Sequence, residues 1–211
     1  MNVVYTALFG NYDILLPPLV VDPEWEYIVF TDHTFDAPAP WQVRVEPRPH
    51  PDQRKASRYY FDQSCLVAPL AEYTVMHGAN AQLNCSPSFL LSFLGKNDIA
   101  AFKHPHRDSV YDEEKAVIAM GKDRPEHTAL QMERYRREGF CGMPLCACGL
   151  LVRHNTLALD EFEEAWWNEV QTGSYRDQLS FDYCRWKLGV AVSYLPGDIF
   201  ACPFLRINTH K

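Results

Sequence analysis

The chain has 211 residues, 47% of them hydrophobic and 22% charged, with a formal net charge of −7. That length and balance suit one domain, residues 1–211, with a packed core, and exclude disordered and collagen-like classes. The negative charge opposes general attraction to a phosphate backbone, so the global field does not point to nucleic acid.

No apolar run reaches the roughly 18 to 20 residues that a bilayer span needs, and "LLPPLVV" (15–21) is broken by Pro17 and Pro18. Met1 leads straight into a strand pattern, without the basic and apolar segments of a secretory leader. Seven cysteines without a C-x-x-C pair read as reduced, mostly buried thiols. The expectation is a cytoplasmic protein. "CGMPLCACG" (141–149) is the local cysteine cluster, and it lacks the second ligand pair that a zinc site would want.

In chain order, "NVVYTALFG" (2–10), "EYIVFTD" (26–32) and "WQVRVEP" (41–47) read as strands, rich in β-branched and aromatic residues. A helix is predicted from about 52 to 66, capped by Asp52, followed by a strand "YTVMH" (73–77). "SPSFLLSFLG" (86–95) carries a Ser cap, a Pro at the first helical position and a terminal Gly. "DIAAFKHP" (98–105) is the next strand, then helices at about 111–121 and 124–138, strand "CACGLLVRH" (146–154), helices at 159–173 and 176–189, and a last strand at 190–195. This alternation predicts an α/β sandwich with a mixed, mostly parallel sheet. In such sheets ligands bind at the carboxyl ends of the strands. Those ends are "FGNYD" (9–13), "TDH" (31–33), "HGAN" (77–80), "KHPHR" (103–107) and "RHN" (153–155).

The ordered set "VVYTALFGNYD" (3–13), "FTD" (30–32), "RKASRYY" (54–60), "HPHRDSVYDE" (104–113), "QMERYRREGF" (131–140), "VRHN" (152–155), "WW" (166–167), "RDQLSF" (176–181) and the terminal "HK" (210–211) resembles the glycosyltransferase-like family of plant mucilage-related proteins and their bacterial relatives. The resemblance covers nearly the whole chain and implies a GT-A-like, nucleotide-diphospho-sugar transferase fold. It implies a glycosyltransferase that moves a sugar from a nucleotide-diphosphate donor to an acceptor hydroxyl. Relatives carry Asp-Gly-Asn at the turn after the fourth strand. Here an ungapped match places Gly78-Ala79-Asn80, with Gly78 in the aspartate's position, a degenerate form of the DxD-type metal motif. Mn2+ or Mg2+ needs several oxygen ligands, so loss of the carboxylate implies a weakened or absent metal requirement. Asn80, His77 and His210 remain as candidate metal ligands, the last because related metal-using transferases often finish their site with a C-terminal histidine; a frayed terminus is the alternative.

A nucleotide sugar needs a floor for its base and cations for its diphosphate. Ala7, Phe9 and Tyr12 at the first strand end, with Thr31 and Asp32 at the second, are the expected base and ribose contacts, although Tyr12 also suits a plain turn. Arg54 and Arg58 share a helix face at i,i+4 spacing and match a diphosphate, with Lys211 as a further cation. His77 and Asn80 complete the donor set. Asp177 and Gln178 fall in the first turn of a predicted helix. Asp177 is expected at the reacting sugar, as a base for the acceptor hydroxyl or as an orienting group; a capping carboxylate is the alternative. His104, Arg107, His154, Asn155 and Trp167 are candidates for sugar or acceptor contacts, each with a structural alternative. Competing readings are a nucleotide-sugar-binding protein without turnover, an amide hydrolase, suggested by a ceramidase activity described for plant relatives, and a transferase acting on modified DNA bases.

Overall fold

The computed structural model describes residues 1–10 and 12–209. Along β1 (Asn2–Leu8) the pleat sends Val3, Tyr5 and Ala7 into one core and Val4 and Leu8 into another. A strand buried on both faces is what a sheet covered by helices or loops on each side requires. β1 pairs in parallel with β2 (Trp25–Thr31) and with β4 (Tyr73–His77), and β2 in parallel with β3 (Gln42–Val45). β7 (Cys146–His154) runs antiparallel to β4 and to β6 (Ile99–Lys103), and β8 (Ser193–Leu195) returns parallel to β6. The seven-stranded order is β3-β2-β1-β4-β7-β6-β8, a mixed and mostly parallel sheet as expected. β5 (Ala81–Leu83) and β9 (Leu205–Ile207) form a separate antiparallel pair that the sequence pattern did not announce.

α1 (Gln53–Asp62) starts where anticipated, with the Asp52 carboxylate accepting the Arg54 N–H at 2.8 Å. It stops at Asp62 instead of running to 66, because Gln63 leaves helical geometry and the chain restarts as α2 (Ser64–Val67). The cause is tertiary: Ser64 Oγ and the Cys65 N–H both donate to the Glu163 carboxylate on α6 (Leu157–Thr172). Ser86 caps α3 (Pro87–Leu91), and Gly189, at φ 70°, ends α7 (Gln178–Leu188) in the left-handed conformation that favours glycine. α1, α2, α6 and α7, with α4 (Val110–Ala119) and α5 (Pro125–Arg137), cover one face around Tyr135, Phe162, Trp166 and Phe181. α3, β5, β9 and loops cover the other around Trp41, Leu90, Phe102 and Phe204. No helix among the described residues is long and apolar enough to cross a membrane.

β7 departs from an ordinary core strand at two places. Its register against β6 jumps from Ala101↔Leu151 to Phe102↔Ala147, leaving residues 148–150 as a bulge. Such insertions bend a strand and re-aim its side chains. Further along, Arg153 is fully buried, pairs with Glu163 at 3.0 Å and donates to Tyr5 Oη and the Phe61 carbonyl, each at 2.8 Å. A buried charge satisfied on this many sides locks α1 and α6 to the sheet.

Candidate active site

The carboxyl ends of β1 and β4, the β7 bulge and the first half of α1 enclose a cavity of about 410 Å³. Ala7, Leu8 and Phe9 come from β1 and its end, Cys148 and Gly149 from the bulge, and Gln53, Arg54, Ser57 and Arg58 from α1. Gly10, at φ 69°, lets β1 turn beneath α1, where a Cβ would stand 2.1 Å from Gln53 Oε1. Tyr12 and Asp13 line the cavity, as does the turn Gly78-Ala79-Asn80. Six expected donor residues, Ala7, Phe9, Tyr12, Arg54, Arg58 and Asn80, are therefore brought together. Lys122, from the loop after α4, and Tyr175 and Arg176, from the strap between α6 and α7, complete the lining and were not anticipated. Arg176 heads the same "RDQLSF" stretch that had drawn attention to Asp177, so that signal was in view.

The cations of α1 are already engaged. Arg54 pairs with Asp52 at 2.7 Å, and its guanidinium stacks 4.0 Å over the Tyr175 ring. The Arg54 hydrogen bonds draw the Asp52 carboxyl down to about 2 against the effect of burial. Lys55 donates to the carbonyls of Gln171 at 2.8 Å and Gly173 at 2.9 Å, which ties the strap to α1. Arg58 pairs with Asp177 at 3.0 Å.

Asp177 stands behind the wall of the cavity rather than on it. It is 4% exposed, caps α7 by accepting the Gln178 N–H at 2.9 Å, and reaches the cavity through Arg58. Gln178 is buried beside it, with Nε2 lacking a hydrogen-bond partner. Asp62, one turn after Arg58 on the same helix face, was missed by the sequence reading. It is fully buried with neither carboxyl oxygen hydrogen-bonded. Burial, helped by the Asp177 charge, pushes its carboxyl well above the usual range.

The other candidates lie elsewhere, for reasons of strand geometry. His77 follows Met76 on β4, so its side chain faces the opposite core, where it meets Trp41 edge-on at 5.7 Å. It is fully buried, its Nδ1 is 2.9 Å from the Gly78 carbonyl, and burial pushes it down to about 4. Thr31 is fully buried. Asp32 sits at the carboxyl end of β2 but fastens the scaffold. Burial tends to raise its carboxyl, and hydrogen bonds from His33, Arg48 and the Gly10 N–H outweigh that and draw it down to about 2.

His154 and Asn155 follow a strand that runs against β4. Tyr73 pairs with His154 and His77 with Leu150, so the carboxyl end of β7 lies at the far edge of the sheet from the cavity. There His154 pairs with Asp98 at 3.2 Å, while Asn155 accepts from Ser64 Oγ at 3.1 Å and donates to the Ala68 carbonyl at 3.3 Å. His104 accepts the backbone N–H groups of His106 and Arg107 at Nδ1, each at 3.1 Å, and Arg107 pairs with Glu113. Trp167 is buried against Tyr59, in the core alternative, and Trp166, also buried, donates its Nε1–H to the Asp177 carbonyl at 2.9 Å.

The turn after β4 does not fit a hard cation. Asn80 is its one oxygen-bearing side chain, and its Nδ2 donates to the Asn208 carbonyl at 2.8 Å. His77 points away from it, and no group of three or more His, Cys, Asp or Glu among the described residues is arranged to hold a metal. His210 and Lys211 lie outside the described residues.

The bifunctional glycosyltransferase WbbM, in its apo structure, superposes with a TM-score of 0.50 at 13% identity, over 92% of this chain and 38% of that one. This chain thus spans well under half of WbbM, and the likeness speaks for the fold alone. The apo crystal structure of mouse xyloside xylosyltransferase 1 matches over 92% of this chain and 84% of its own, with a TM-score of 0.46 at 8% identity. No curated protein matches the sequence. The family model of the TOD1/MUCI70 glycosyltransferase-like domain matches residues 40–202, which include α1, the β4 turn, the β7 bulge and the strap that frame the cavity. The chain belongs to the TOD1/MUCI70 glycosyltransferase-like family.

Proposed function

We propose that this protein, as one domain, transfers a sugar from a nucleoside-diphosphate donor to an acceptor hydroxyl in the cavity at the carboxyl edge of β1 and β4. The observation that carries the reading is the composition of that cavity. Its volume of about 410 Å³ falls in the range of small-molecule sites. One side is apolar, with Ala7, Leu8 and Phe9, and another is cationic, with Arg54, Arg58, Lys122 and Arg176.

In the transfer, the bond between the anomeric carbon and the donor's phosphate oxygen breaks, and its electron pair stays on the diphosphate. The acceptor oxygen bonds to the anomeric carbon and gives up its proton to a carboxylate or to water. Charge therefore grows on the leaving diphosphate, and cations fixed beforehand beside it lower the barrier most. Asp177 is assigned to holding Arg58 in direction, with a direct role for its carboxylate kept as the finer alternative. A divalent metal is weakly needed or dispensable, given the donor set at residues 78–80. The setting proposed is the cytoplasm, which keeps the seven free thiols reduced.

A second reading, a nucleotide-sugar-binding protein without turnover, draws on the burial of Asp177. Thermal shift with UDP-, GDP-, ADP- and CMP-linked sugars, each with manganese and with EDTA, tests the donor site, because a ligand of the folded state raises the midpoint by mass action. A shift with one donor that survives EDTA is expected. No shift with any donor would remove both readings, and release of nucleoside diphosphate separates the enzyme from the binder.

A further inference from the structure

We propose that Arg176 and Lys122 form a metal-independent clamp for the diphosphate of the donor, in place of a divalent cation and in preference to the arginines of α1. The inference rests on the nucleoside-diphosphate reading of this cavity and names which groups neutralise the leaving charge.

Four cations line the cavity among the described residues, and they differ in what already compensates them. Arg54 is held by Asp52 and Arg58 by Asp177, so an incoming phosphate would compete with a carboxylate at each. Arg176 and Lys122 make no ion pair with a described residue, and the Arg176 Nε lies out of solvent with no hydrogen-bond partner. A buried guanidinium donor without an acceptor is costly unless a ligand supplies one. Asp13 is the sole carboxylate among the described lining residues, and the carboxylates next in sequence to the two cations are engaged elsewhere, Asp123 by Ser174 and Asp177 by Arg58. Arginine's planar fork matches phosphate oxygens, and lysine at the rim adds a mobile point charge.

The two residues come from separate loops that are fastened together. Tyr175 Oη donates to the Lys122 carbonyl, and Ser174 Oγ to the Asp123 carboxylate. The Ser174 N–H donates to Gln131 Oε1 at 3.0 Å, and Lys55 holds the Gly173 carbonyl. Gly173 leaves no room for a side chain, since a Cβ would sit 2.7 Å from the Gln131 amide. The strap that presents Arg176 is thus set before a ligand arrives, which spares the cost of ordering it on binding.

Calorimetric titration in EDTA tests the clamp, with pyrophosphate and with UDP, GDP, ADP and CDP, each against its monophosphate. Wild type is expected to bind one diphosphate at least tenfold tighter than its monophosphate without metal. Arg176→Ala should erase that increment while leaving the monophosphate affinity within about twofold, and Lys122→Glu, at an exposed side chain that changes no backbone contact, should reduce it severalfold. Raising salt should weaken the wild-type increment more than that of Lys122→Glu. Unchanged diphosphate increments in both variants, or wild-type binding that appears only with manganese, would overturn the clamp and leave the donor site standing. A wild type that binds no nucleotide would overturn the donor reading and the clamp together.

Discussion

The two edges of the sheet make an instructive pair. At the carboxyl edge of β1 and β4 lies the 410 Å³ cavity; at the opposite edge a hollow of about 340 Å³ is lined by Tyr73, Asp98 and His154 among others. Both carry polar side chains on a mostly apolar lining, and both drew sequence candidates. At the far edge His154 and Thr156 share Asp98, Asn155 bridges Ser64 and Ala68, and the lining cation without an ion pair to a described residue, Lys96, is exposed to water. At the carboxyl edge two cations are left without an ion pair among the described residues, and the Nε of one of them, Arg176, is buried with no acceptor. Polarity at a strand end is therefore a weak signal, and unspent polar capacity is a stronger one.

The largest effect that would sharpen this contrast is on turnover. Asp177→Asn keeps a capping side chain, so folding should survive, while release of nucleoside diphosphate should fall by about tenfold where the carboxylate only holds Arg58 and by about 100-fold or more where it takes the acceptor proton. Wild-type turnover in that variant would exclude any essential part for Asp177. Arg58→Ala should weaken donor binding roughly tenfold by calorimetry. It should also cost about 2 kcal/mol in urea unfolding, below the figure for a fully buried pair because Arg58 keeps 24% of its side chain exposed. An unchanged donor affinity would leave the diphosphate to Arg176 and Lys122 alone.

On the far edge, Asn155→Ala should lower stability by about 1 kcal/mol, since the Ser64 hydroxyl keeps Glu163 and the Ala68 carbonyl keeps the Ala71 N–H, and leave donor affinity alone. A loss of donor affinity there would break the comparison. The pH profile isolates a third place. His77 is held neutral by burial, with its ring pushed down to about 4, so the unfolded chain takes up a proton that the folded chain refuses. Stability from this group is complete above about 6.5, the ordinary histidine value, and is lost as pH falls towards 4. His77→Gln should flatten that slope in urea unfolding between those limits; an identical slope would mean that His104, also pushed down by burial, carries it. The smallest effect concerns the metal. Gly78→Asp restores a carboxylate at the turn, where its Cβ meets only the movable Asn80 side chain at 3.0 Å. A manganese-dependent thermal shift should appear; none would count against Gly78 as the aspartate's counterpart.

Most of the fold was legible because its signals are local. Asp52, Ser86 and Pro87 announce their helices, and runs of β-branched and aromatic residues mark β1 and β2. The direction of β7 was not legible, since antiparallel and parallel strands buried on both faces have the same composition. That one unknown sent His154 and Asn155 to the wrong edge. The break after Asp62 depends on Glu163, and the β5–β9 pair joins distant segments, so neither shows in a local window. Within the site, Arg54 and Arg58 followed from helical spacing. The carboxylate partner of Arg58 did not: Asp177 is far away in sequence and meets Arg58 only through tertiary packing. Lys122 and Arg176 reach the cavity only because two loops are fastened together by Ser174 and Tyr175.

The most direct test of a donor site in this cavity is amide hydrogen exchange with and without the preferred nucleoside diphosphate, in EDTA. Added protection is predicted in the turn after β4, at the start of α1 and in the strap around Arg176, with the far edge near Asp98 and His154 unchanged. Protection confined to that far edge, or none at either, would contradict a donor site in the cavity.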